Sequence, residues 1–188
     1  VYFAMKGANV TATDLSPGML KVAVKLAKKN NVSIKTSLAS ATDLSNFADK
    51  SFDIVYAANL LHHVNIEKAL EEVYRVLKTG GRAIFWDPVH YNPIINIYRR
   101  MANQVRTEDE HPLKLSDIKL MKKRFKFHEL HFTWLTALLV FLKFFILDRI
   151  HPNSDRYWKL IYQKEKEIGP FVQMAARFDR FLFFIFPP

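Results

Sequence analysis

The sequence predicts an α/β fold: a mostly parallel sheet with helices on both faces, followed by a basic, aromatic-rich extension. Three observations predict it. Short apolar runs alternate with helix-period segments between Ala8 and Pro88, and strands that alternate with helices pair in parallel. The run Phe52–Ala58, FDIVYAA, is continuously apolar, the pattern of a strand buried on both faces. Composition then shifts past Pro88. Residues 1–88 hold 4 of the 16 phenylalanines, with 11 basic and 8 acidic side chains, whereas residues 89–188 hold 17 basic and 10 acidic ones.

Each element can be read in order. Val1–Met5 reads as the tail of a helix closed by Lys6-Gly7, so the chain is expected to be cut from a longer one. Asn9–Thr13 is rich in β-branched residues and predicts a strand ending beside Asp14. Ser16 can cap the next helix with Pro17 at its first turn, and Met19, Leu20, Ala23, Val24 and Ala27 line one face as far as Lys29. Val32, Ile34, Thr36 and Leu38 alternate as a second strand. After Phe52–Ala58, a helix is expected from Asn65 to Lys78, stopped by Thr79-Gly80-Gly81, and Arg82–Trp86 is the fourth strand. The order is β-α-β-β-α-β.

Beyond Pro88 the pattern is less regular. RTEDEHP is a charged loop, Leu115–Phe125 a helix, and Lys126–Phe132 alternates as a further strand. Phe132–Leu147 contains Lys143 as its one charge. At sixteen residues it is shorter than the roughly 20 needed to span a bilayer, which leaves a buried core segment and a membrane-surface contact both open. The expected division is a domain over residues 1–131 and a hydrophobic, helical extension over 132–188.

The chain has no cysteine, which excludes disulfides, thiolate metal sites and a cysteine nucleophile. No His/Asp/Glu cluster has metal-ligand spacing, so no metal is predicted. The net charge of +10 suits nucleic acid or an anionic membrane. No nucleic-acid module is recognisable, so no specific nucleic acid is expected.

Asp14 stands at the carboxyl end of a strand, where an open parallel sheet binds ligands and where an acidic side chain can accept from both hydroxyls of a ribose. The segment SFDIVYAANLLHHV, Ser51 to Val64, opens from a strand into a polar loop with Asn59, His62 and His63. ALEEVYRVLKTGGRAIFWDP, Ala69 to Pro88, is a helix, a glycine turn and a strand ending on Asp87. Together these segments resemble the class I S-adenosylmethionine-dependent methyltransferases, in particular the group with the ubiquinone and menaquinone biosynthesis enzymes. There an acidic residue and an S-x-x-M stretch follow the second strand, an FD-x-V strand leads to an N-x-x-H-H-like loop, and RVLKPGG precedes the fifth strand. This chain has each in order, with Thr79 where proline is usual. The resemblance covers about residues 1–88.

The resemblance implies a Rossmann-like fold and S-adenosylmethionine as cofactor. Asp14 would hold the ribose, and Leu15 and Met19 would pack near the adenine. The backbone of Ala41 would meet the adenine edge, with Ser40 where the family often has aspartate. Asn59 and Leu60 would line the methionine end and the mouth of the acceptor site. His62 and His63 are the candidate catalytic bases, with His90 and Tyr91 behind them. The family's D-x-G-x-G-x-G motif is absent from the five glycines of this chain, so the first strand and glycine loop are expected to be lacking. The implied activity is methyl transfer to a small-molecule or lipid-like acceptor, by a cytoplasmic protein or one peripheral at a membrane. The alternative is a non-catalytic, membrane-associated binding protein on a degenerate methyltransferase fold.

Overall fold

The computed structural model describes residues 1–104, 110–126, 129–136 and 138–185. Two compact units emerge: Val1–Asp87 with Leu115–Lys126, and Pro88–Lys114 with Phe127–Pro188. They interleave along the chain, whereas the sequence-based division at residue 131 cuts it once.

The first unit begins with α1 (Tyr2–Met5), closed by Gly7 at φ +87. It continues with β1 (Thr11–Asp14), α2 (Pro17–Lys29), β2 (Lys35–Leu38), β3 (Phe52–Ala58), α3 (Ile66–Val76) and β4 (Leu77–Trp86). The Ser16 hydroxyl accepts from Met19 N–H, and Asn65 caps α3 by accepting from Lys68 N–H. Such caps contribute about 1 kcal/mol each. The strands pair in parallel as two ladders, β1 with β2 and β3 with β4.

α3 supplies the core of this unit, with Ala69, Leu70, Val73 and Val76 buried. Burying a Leu or Val side chain stabilises by about 1.5–3 kcal/mol. α4 (Pro93–Met101) belongs to the other unit, but α5 (Leu115–Arg124) returns to pack on α3 with Ile118 and Met121 buried. Phe125, just past α5, meets Tyr74 edge-on at 5.7 Å.

Three expectations change here. α3 stops at Val76, two residues early, because Leu77 is already extended and pairs with Phe52. The glycines therefore lie inside β4, where the register jumps from Phe52↔Leu77 to Ile54↔Arg82. Gly80 takes φ +80, and a Cβ on Gly81 would meet the Lys78 carbonyl oxygen at 2.9 Å and that of Asp53 at 3.0 Å. β3 is also not buried on both faces. Ile54 and Tyr56 are 56% and 51% exposed, on the same face as the exposed Ile84 and Trp86 of β4.

Arg75 fastens α3 to the loop between β2 and β3. Its guanidinium donates to Glu72 at 2.9 and 2.8 Å, to Asp49 at 2.7 Å, and to the Leu44 and Phe47 carbonyls at 2.9 Å each. The hydrogen bonds from Arg75 hold the Glu72 carboxyl below its ordinary range, helped by Leu44 N–H at 2.7 Å.

The second unit comprises α4, α6 (Leu139–Leu142) with a π-helical turn over Lys143–Leu147, α7 (Tyr157–Gln163) and α8 (Glu165–Ile185). α4 was not expected, although its Asn92 cap and Pro93 start are a sequence signal. Ile95, Leu138, Val140, Phe141, Phe144, Tyr157, Leu160 and Ile168 form one core. Leu138, Val140, Phe141 and Phe144 of the Phe132–Leu147 segment are thus buried in protein, while Phe145, Ile146 and Leu147 stay exposed. Burial pushes the Tyr157 phenol up to about 12, and it donates to the Ile150 carbonyl. Lys126 and Glu129–Phe132 form no strand, having no partner edge among the described residues. Phe127 and His128 of that segment, and Arg106–Asp109 of the charged loop, lie outside the described residues.

Two outcomes follow from these contacts. Gly81→Ala should cost about 1–3 kcal/mol in urea unfolding, since both close atoms are backbone and cannot step aside. Glu72, whose folded pKa is depressed, contributes stability that is full well above its ordinary value of 4.5 and is lost as pH falls through the folded value. The urea midpoint should therefore drop below about pH 4.5, and Glu72→Gln should make that drop shallower.

Candidate functional site

Parallel strands deliver side chains to one end, and the candidate residues of the first unit lie at the carboxyl ends of β1, β2, β3 and β4. Asp14 closes β1, in register with Leu38 of β2. Its Oδ1 accepts from Ser16 N–H at 2.8 Å, a turn that sets the entry of α2. Its Oδ2 takes no hydrogen bond among the described residues, which leaves an acceptor at the strand end.

A shallow cleft opens beside it, lined among others by Leu15, Leu38, Ser40, Asp43 and Asn46. Of the sequence candidates, Leu15 and Ser40 meet here. Ala41 is half-buried in the adjoining turn. The Ser40 hydroxyl is engaged with Thr42 Oγ1 at 2.8 Å and accepts from Thr42 N–H at 3.2 Å. Met19 is exposed on the first turn of α2, and the cleft lining does not include it. Asp43 was not singled out from sequence. It pairs with Ser40 across a short antiparallel bridge, and hydrogen bonds from Ser45 lower its pKa. The Arg75 contacts to Leu44, Phe47 and Asp49 hold the chain that carries this rim.

The second cluster follows β3. Asn59 adopts φ +52, and its N–H donates to the Trp86 carbonyl at 2.8 Å, which ties the end of β3 to the end of β4. Asn59 is exposed, and Leu60 is half-buried. A 3₁₀ turn over Leu61–His63 comes next, anchored by the fully buried Leu61. It brings His62 onto Asp87, the residue just past β4. His62 Nδ1 lies 2.7 Å from Asp87 Oδ1, and the same oxygen accepts from His62 N–H at 3.3 Å. Both side chains are buried, that of Asp87 completely. The other oxygen, Asp87 Oδ2, is a buried acceptor with no partner among the described residues. The ring of His63 lies 4.1 Å from that of His62.

Chemically, a carboxylate can only accept. It therefore fixes the proton on His62 Nδ1 and leaves Nε2 as the basic nitrogen. Asp87 is the partner that sequence reasoning missed. It sits 25 residues from His62, and the only sequence signal was an acidic residue closing a strand, as Asp14 does. His90 and Tyr91 belong to the second unit.

Residues 1–85 match the family model described as Methyltransferase domain. A demethylmenaquinone methyltransferase of Bacteroides fragilis is 44% identical over 79 residues, covering 40% of this chain and 32% of the relative. The ubiquinone/menaquinone biosynthesis C-methyltransferase UbiE of Zymomonas mobilis is 31% identical over 105 residues, covering 54% and 43%. The chain thus spans between a third and a half of the length of these curated relatives. Among solved structures, the YcgJ protein of Bacillus subtilis superposes with a TM-score of 0.52 at 27% identity, over 61% of this chain and 50% of that one. A methyltransferase of Methanosarcina mazei shares the fold, with a TM-score of 0.54 at 20% identity over 65% and 71%. Residues 1–85 thus resemble the methyltransferase-domain family, and the chain shares the Rossmann-like α/β fold of the YcgJ protein.

Proposed function

We propose that this chain is part of an S-adenosylmethionine-dependent methyltransferase whose acceptor is a small, lipid-like molecule carrying a ring hydroxyl. The observation that carries the reading is the buried His62–Asp87 pair at the carboxyl ends of β3 and β4. The matched relatives are named for quinone methylation, which supports an acceptor of that class. A lipid-like acceptor would be met at a membrane surface; no helix among the described residues is long and apolar enough to cross one.

The residues present fit an adenosine group. Asp14 Oδ2 has no competing donor among the described residues, and the cleft beside it offers Leu15 and Leu38 to an apolar ring and Ser40 and Asp43 to polar edges. In this role Asp14, Leu15, Met19, Ser40 and Ala41 would hold the cofactor, with Asn59 and Leu60 toward the acceptor. When bound, S-adenosylmethionine supplies a methyl group on a sulfonium, which is a strong leaving group. The protein's work is then alignment and proton removal. His62 Nε2 takes the acceptor's hydroxyl proton, and the Asp87 carboxylate stabilises the imidazolium. Removal of that proton would raise electron density on the acceptor ring, where the cofactor's methyl group would be received. His63, packed on His62, would limit the tilt of its ring.

Two measurements test this reading. Titration calorimetry should show cofactor binding, and Asp14→Ala should weaken it by about 10- to 100-fold, the cost of losing charged hydrogen bonds to a ligand. The absence of heat with S-adenosylmethionine or its demethylated product would end the assignment. With a labelled methyl group and a demethylated hydroquinone in micelles, His62→Asn should lower kcat by about 10²- to 10⁴-fold and leave cofactor affinity intact. An unchanged kcat would remove His62 from the chemistry.

A further inference from the structure

α8 turns two different faces to its surroundings. Ile168, Ala175 and Asp179 point inward and are buried. Asp179, 1% exposed, accepts from Leu135 N–H and Thr136 N–H at 2.8 Å each and from the Thr136 hydroxyl at 2.6 Å. That buried carboxylate fixes the rotation of the helix. At 3.6 residues per turn, Phe171, Met174, Phe178, Phe181 and Ile185 then fall within an arc of about 80°, next to the buried side, the two centres about 100° apart. All five are exposed, from 38% at Phe171 to 63% at Met174. Arg177 borders the arc on its far side, Arg180 lies about 100° beyond it, and Phe184, 86% exposed, falls between the two exposed arginines. From Gly169 to Ile185 these are the only charges besides the buried Asp179.

We infer that this face of α8 is a docking surface for an anionic lipid bilayer, with the helix lying in the plane of the headgroups. Three of the five stripe residues are phenylalanines, which bury well at the headgroup–acyl boundary, and cations beside such a stripe meet acidic headgroups. Charge selects lipid over a second copy of the chain. The exposed charges along the stripe have one sign, and the chain as a whole carries +10, so pairing two copies would bring like charges together. The proposal extends the lipid-like-acceptor reading, but bilayer binding requires neither cofactor nor catalysis.

The test is flotation of the chain with vesicles of phosphatidylcholine alone, or of phosphatidylcholine with a third phosphatidylglycerol. Binding is expected to the anionic vesicles. Phe178→Glu combined with Phe181→Glu should weaken it by about tenfold or more. Arg177→Gln with Arg180→Gln should weaken it by about fivefold per cation removed and abolish the preference for anionic lipid. Tyr162→Glu, which alters an exposed aromatic of α7 outside the stripe, should bind as the parent does. Circular dichroism establishes that each variant is folded. Failure of the parent to float, or equal flotation of the folded double glutamate variant, overturns the proposal. So does a dimer in sedimentation that the same variant splits, without vesicle binding, because the occupant is then a second copy. Cofactor calorimetry on these variants reads the methyltransferase assignment separately.

Discussion

The Asp87 carboxylate, buried just past β4, organises the end of the first unit where β3 and β4 finish. Through one oxygen it accepts from both the ring and the backbone N–H of His62. That contact pins the loop after β3 to the strand beside it, and the Asn59 N–H bond to the Trp86 carbonyl doubles the connection. The register of β3 on β4 must therefore be correct for the site to exist, since a one-residue slip would turn Trp86 and Asp87 to opposite faces. Gly80 and Gly81 make that register reachable. They absorb the jump between Leu77 and Arg82 in the one place where a side chain would strike the Lys78 and Asp53 carbonyls.

Burying a carboxylate is costly unless its lone pairs are met. Asp87 meets the cost on one side only; Oδ2 has no partner among the described residues. A buried carboxylate with a purely structural role would be expected to have both oxygens satisfied, as Asp179 does with three donors in the second unit. The difference between these two buried aspartates is the physical reason for reading one as functional and the other as a fastening. Asp14 represents a third condition. Half-buried, with one oxygen used in a turn and the other open, it is suited to exchange a ligand with water.

The parts of the fold that were legible in the sequence are those set by local chemistry. Ser16 with Pro17, and Asn65 ahead of the Ala69, Leu70, Val73 and Val76 stripe, each fix a helix through contacts within a few residues, and α2 and α3 begin where those signals place them. Asp14 was likewise visible as a carboxylate at a strand end. What depended on partners was not legible. The glycines after Thr79 read as a helix stop, yet pairing with Phe52 draws Leu77 into β4 first. The apolar run of β3 suggested burial on both faces, but hydrophobicity does not encode what covers a face, and Ile54 and Tyr56 remain exposed. His62 was visible as a histidine in a polar loop, whereas its meaning lay in an aspartate 25 residues away.

The second unit shows how composition can be read correctly and still leave geometry undetermined. Sixteen phenylalanines in a basic chain cannot say which rings make a core and which face outward. Phe141 and Phe144 disappear around Tyr157, at ring distances of 5.2 and 5.3 Å, while Phe178 and Phe181 stand in solvent on α8. The sorting device is polar. A helix with apolar residues on most of its circumference could bury any of several faces with similar gain, because the hydrophobic effect has no direction. Asp179 breaks that degeneracy. Turning α8 so that Phe178 faced the core would pull a carboxylate off the two backbone N–H groups and the hydroxyl that hold it. Each charge-assisted bond of that kind is worth about 1.5–3 kcal/mol, comparable to burying one phenylalanine. The orientation that leaves the phenylalanine stripe exposed is therefore chosen by a charge, and the exposed stripe is what remains of α8 once that choice is made.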